Sequence, residues 1–169
     1  IKRYDPMKYI YTVLLCLFLA VTNIQADNLT QPFSLVPCPV SLVPGTGNFH
    51  FSAKTSFAVE NEGQAEQVRQ FTGLLTRAAG FTPRIKVDSR KGDVCLVTDA
   101  TLKSEAYKLE ITAKKITIRA SDLQGFYYAF QSIRQLLPSA IESEQVTENV
   151  DWIVPALTII DQPRFGYRG

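Results

Sequence analysis

The stretch at 107–137, YKLEITAKKITIRASDLQGFYYAFQSIRQLL, restricts the fold more than any other part of the chain. Tyr107, Leu109 and Ile111 alternate with Lys108, Glu110 and Thr112. After a turn near 113–115, Ile116 and Ile118 resume the apolar side opposite Thr117 and Arg119. A period of two on both arms predicts a hairpin with one buried and one wet face. The period then lengthens to that of a helix. Asp122 stands at its start, Phe126, Phe130, Ile133 and Leu137 form one apolar stripe, and Pro138 halts it. A one-sided hairpin running straight into a one-sided helix has a simple solution, in which the helix covers the hairpin's apolar face.

The flanking sequence extends this plan. NFHFSAK and TSFAVE read as short strands, bounded by Pro44, Gly45 and Gly47. Asn61 and Gln64 form a capping pair for a first helix, along which Val68, Phe71, Leu75 and Ala78 recur at spacings of three and four until Gly80. DVCLVTD is a short continuous apolar run, as in a central strand covered on both faces. Residues 139–151 are a polar connection, and WIVPALTII is a last extended segment. The expected fold is α+β: a mostly antiparallel sheet with two helices packed on one face, without internal repeats.

At the N-terminus, residues 1–6 precede the only methionine, Met7. One lysine, an apolar run over 9–21 and small-residue cleavage chemistry at Ala26 follow. That layout predicts a secretory signal peptide from Met7 to Ala26, with upstream residues making up the rest of 1–26, and an exported protein, periplasmic or extracellular. The apolar run is shorter than the ~20 residues of a spanning helix, so no membrane span is expected after cleavage. Leu15 before Cys16 argues against a lipidation site. Of eighteen basic and sixteen acidic residues, Lys2, Arg3, Lys8 and Asp5 lie within 1–26, which leaves 15 of each in the body. A neutral body gives no electrostatic reason to expect nucleic acid as a partner.

The body is poor in chemistry. One histidine, His50, alternates with Phe49 and Phe51 and reads as the exposed side of a strand. It has no clustered cysteine or histidine around it, so no metal site is expected. Cys38 and Cys95 read as two buried thiols rather than a disulfide. Asp99 and Asp122 sit where carboxylates commonly cap. Phosphate-binding glycine loops, G-x-S-x-G elbows and H-E-x-x-H pairs are missing from the sequence, as is any adjacent Asp-Glu pair. Trp152 and the pair Tyr127–Tyr128 could suggest a sugar platform, but Tyr128 and Trp152 fall on core-forming positions. From its residues alone the body reads as a support or interaction domain, with no catalytic residue and no cofactor.

Three stretches together resemble the N-terminal, non-catalytic region of exported β-N-acetylhexosaminidases of glycoside hydrolase family 20: SLVPCPVSLVPGTGNFHF, the hairpin and helix above, and VPALTIIDQPRFGYRG. GFYYAFQSIRQLL is similar to the family's Gly-x-Phe-Tyr-Gly-x-Gln-Thr-Leu-Arg-Gln-Leu-Leu, with Ala129 for the usual glycine and Ser132 for the usual threonine. IIDQPRFGYRG is similar to Ile-x-Asp-x-Pro-Arg-Phe-x-x-Arg-Gly. The resemblance implies an accessory α+β domain over 33–160 and, over 161–169, the start of a (β/α)8 catalytic barrel. That barrel would be the domain's partner in the same chain and its route to N-acetylhexosamine-containing glycans. It further implies that Arg168 would hydrogen-bond hydroxyls of the terminal sugar, latently here, because a guanidinium's fixed fork of donors can reach two oxygens. Arg164, beside Pro163 and Phe165, reads as a structural residue. The family's Asp-Glu pair, which serves a substrate-assisted hydrolysis, is not in this sequence, so the chain is expected to be inactive alone. The apolar closing segment WIVPALTIIDQPRF is expected to face the barrel in part. The other possibility is a free-standing glycan-binding or envelope interaction module on the same fold.

Overall fold

The computed structural model describes residues 34–163; the signal-peptide residues, Arg164 and Arg168 lie outside them. The elements run in the order β1 (Ser41–His50), β2 (Ser56–Ala58), α1 (Glu62–Ala79), β3 (Arg84–Lys86), β4 (Val94–Thr98), β5 (Tyr107–Ile111), β6 (Ile116–Ala120), α2 (Leu123–Leu136), a 3-10 turn (Ser139–Glu142) and β7 (Ile153–Asp161). The seven strands form one sheet in the order β1-β7-β5-β6-β4-β2-β3. From β1 to β6 the ladders are antiparallel, and from β6 to β3 they are parallel. Most paired residues lie in the antiparallel ladders, so the α+β architecture with a mostly antiparallel sheet stands. No helix among the described residues is long and apolar enough to cross a membrane.

Register explains why one face is dry. Phe57, Val94, Ile116, Ile111 and Leu157 form one continuous row across five strands, and Leu96, Ile118, Leu109 and Ile159 the next. All nine are buried. Directly opposed residues share a face, so these rows make one apolar surface, and both helices lie on it. Phe57 from the sheet, Phe71 from α1 and Phe130 from α2 meet at the centre. The last two rings stack at 4.9 Å, and Phe57 stands 6.2 and 6.4 Å from them.

The helix ends form as their residues dictate. Asn61 Oδ1 accepts from Gln64 N at 3.0 Å, and Gly80, in the left-handed region (φ 73°), closes α1. The Gln64 side chain reaches one residue further back than a reciprocal capping pair would, accepting from Glu60 N at 2.8 Å. At α2, Asp122 Oδ1 accepts from Gly125 N at 2.8 Å. Gly125 itself has no substitute, because a Cβ there would lie 2.5 Å from the Ala106 carbonyl oxygen.

Three expectations shift. The first strand is Ser41–His50, not NFHFSAK. It pairs with β7 on both sides of an irregularity between Pro44 and Asn48, so its glycines sit inside the strand instead of ending it. As an edge strand it exposes most of its side chains, and the alternation that would mark it is weak. Second, β4 is covered on both faces as expected, but the outer cover is a loop: Cys95 Sγ donates to the carbonyls of Arg90 and Gly92. Third, the described part of the closing segment spends most of its apolar side chains inside this domain. Val154, Ala156, Leu157 and Ile159 are buried in this domain's own core, and Ile160 is the exposed large apolar residue of β7. The segment lies second in the sheet, with β1 outside it, and this consumes its apolar side.

Candidate functional site

The polar groups singled out in the sequence are structural. Asp122 Oδ2 accepts from Ser104 Oγ (2.7 Å) and Glu105 N (2.9 Å) while Oδ1 caps α2. Burial opposes its charge, but the hydrogen bonds from Ser104, Gly125 and Glu105 outweigh it and hold the carboxyl below its ordinary value. Asp99 Oδ1 accepts from the hydroxyl and amide of Thr101 at 2.6 and 3.0 Å, and the hydroxyl bond leads in lowering it. His50 is exposed at the end of β1 between buried Phe49 and Phe51. Cys95 is buried, whereas Cys38 is exposed and not bonded to it, which corrects the expectation of two buried thiols. Cys38 lies in the lead-in before β1, outside the helix-covered rows. Trp152 is buried, and Tyr128 packs against the core with the exposed Tyr127 ring edge-on to it at 5.6 Å.

A polar cluster at the start of α1 had only part of its signal in the sequence. Gln64 is fully buried; its Nε2 donates to Thr98 Oγ1 at 3.0 Å, and Glu60 Oε2 accepts from Thr98 N at 2.9 Å. Glu60 Oε1 lies 3.7 Å from the exposed guanidinium of Arg90. Burial raises this carboxyl, but the Thr98 and Gln64 hydrogen bonds and Arg90 bring it below its ordinary value. Ser56 N is the largest influence lowering Asp93, followed in that direction by the Ser56 hydroxyl and Lys86. Arg134 does the same for Glu142, gripping it through Nε and a terminal nitrogen.

These directions matter for chemistry. A glycosidase acid needs a carboxyl held protonated near neutrality, through a raised pKa. Glu60, Asp93, Asp99, Asp122 and Glu142 are instead lowered, each by hydrogen bonds from within the domain. No group of metal-binding side chains occurs among the described residues. Among the described residues, these polar groups are engaged in the domain's own junctions.

Comparison with known proteins agrees. Residues 33–162 match the model of "Glycosyl hydrolase family 20, domain 2". The chain is 26% identical over 151 residues to a β-hexosaminidase of Porphyromonas gingivalis, covering 87% of this chain and 19% of that protein. It is 31% identical over 148 residues to N,N'-diacetylchitobiase of Vibrio harveyi, covering 85% and 15%. In the solved N-acetyl-β-hexosaminidase of Streptomyces plicatus the same fold recurs with a TM-score of 0.71 and 28% identity, over 78% of this chain and 26% of that one. The chain thus spans about a fifth or less of the curated relatives cited here. With a continuous match across the whole helix-covered sheet, this chain belongs to glycoside hydrolase family 20, in which it corresponds to domain 2.

Proposed function

We propose that this chain is the accessory domain of an exported β-N-acetylhexosaminidase, an enzyme that removes terminal N-acetylhexosamine from glycans. Residues 33–160 would form the support domain, and 161–169 would lead into the catalytic barrel. The observation that carries this reading is the family 20 domain 2 match over residues 33–162, in a chain that spans about a fifth or less of the hexosaminidase and chitobiase relatives it resembles. The domain supports and the barrel cleaves. Arg168 would join the sugar site only when the barrel surrounds it, since its fork of donors needs a bound sugar held in register. Export rests on the signal-like sequence before Asp27.

Pure chain incubated with an aryl β-N-acetylglucosaminide tests the reading. Release of the aryl group should not rise above the buffer blank. Turnover that persists through repeated purification would overturn the division of labour. Sequencing the coding region around this stretch tests the parentage, with a barrel carrying an Asp-Glu pair, in whichever frame, as the expected result.

A further inference from the structure

Where α1 ends, the connection that leads into β7 bounds an open cleft of about 700 Å³. Phe81, Val146 and Trp152 give it an apolar wall, and Glu148, Asn149 and Asp151 line it as well. Most of the Trp152 indole belongs to the core, with 8% of the residue exposed, so it contributes an edge. Phe81 is half-buried, and Val146 is 59% exposed.

Backbone hydrogen bonds fix the rim of this cleft. Thr147 N donates to the Ala78 carbonyl at 2.9 Å, and Phe51 N donates to that of Trp152 at 2.8 Å. Ile153 N donates to the Asp151 carbonyl at 2.9 Å, closing a tight turn around Trp152. Asn149 sits between these anchors in the left-handed region (φ 59°). A cleft held in this way has little left to order when a ligand arrives. Its polar side chains are also unused. Glu148, Asn149 and Asp151 are exposed and make no side-chain hydrogen bond or ion pair among the described residues, whereas Glu142, earlier in the same connection, is held by Arg134.

This lining selects among ligands. An apolar partner would bury the two carboxylates and the carboxamide without partners, at a cost. An anion would meet two like charges. A sugar ring satisfies both halves of the cleft: its C–H face packs on an aromatic wall, its hydroxyls donate to carboxylates, and a carboxamide both donates and accepts. We propose that this cleft is a binding site for a short uncharged oligosaccharide, with Phe81 taking the apolar face of one ring and Glu148, Asn149 and Asp151 taking its hydroxyls. The preference for a sugar rests on the lining alone, and the choice of an N-acetylated one rests on the accessory-domain reading above. Such a site holds a glycan on this domain without any help from a barrel.

Titrating the chain with N-acetylchitotetraose while following its amide and indole NMR signals tests the proposal. Signals of Asn149, Asp151 and the Trp152 indole should move and saturate with a dissociation constant of about 0.1–1 mM, while that of Tyr127 stays still. Asn149→Gly keeps the left-handed backbone but removes the carboxamide. Phe81→Leu keeps an apolar side chain but removes the ring. Each should weaken binding at least about threefold with the pattern of the other signals preserved, which shows that the fold is intact. Signals unmoved at about 10 mM sugar, ten times the weakest expected constant, overturn the proposal, as do shifts centred on other elements or unchanged affinity in both variants. Binding of the free-amine tetramer in place of the acetylated one also overturns it, because the cleft would then be a cation site. The titration needs neither turnover nor this chain's gene, so the cleft and the accessory-domain reading can fail separately.

Discussion

At the scale of single residues, the carboxylates do the joining. Asp122 holds three donors at once, from Ser104, Glu105 and Gly125, so its loss reaches beyond an ordinary helix cap. Asp122→Ala should destabilise the domain by about 2 kcal/mol, the upper end for a lost cap, as read by urea unfolding. Asp122→Asn should cost less, because an amide oxygen can still accept. The pH dependence follows from Glu60, Asp93, Asp99, Asp122 and Glu142, all lowered in the folded chain. Unfolding raises these groups toward ordinary values, so the unfolded chain binds more protons as acid is added. Their stabilisation is complete above the ordinary carboxylate range, about pH 4, and is lost as pH falls through the lower folded values. Urea midpoints should be nearly level through neutrality and drop below about pH 4. A midpoint that rises on acidification would contradict the assigned directions.

At the scale of elements, legibility followed burial. The hairpin and both helices could be read from their apolar periods, because each presents one face to a single core. Phe71 and Phe130 come from different helices, yet both were marked by helical spacing, and they stack at 4.9 Å. Phe130→Ala should cost about 3–5 kcal/mol, as large aromatic truncations in a packed core do, measured by thermal or urea unfolding. A loss under about 1 kcal/mol would mean the aromatic cluster is not the centre of the core. The edge strands were less legible. β1 exposes most of its side chains and carries an irregularity at its glycines, while β3 has only 3 residues. Position in the sheet also mattered for the closing segment, since only the pairing with β1 and β5 shows that Val154, Leu157 and Ile159 are used internally.

For the whole molecule, the sheet, the helix layer and the family match agree on the fold and the family. Arg168 could be singled out only by resemblance, because a lone guanidinium has no periodicity to betray it. The two margins of the sheet add a consequence. β1 carries Pro44 and its irregularity, and β3 stops after three residues between the charged side chains of Arg84 and Lys86. Such margins discourage strand recruitment. A shed or separately made copy of this domain would therefore be a poor seed for fibrils.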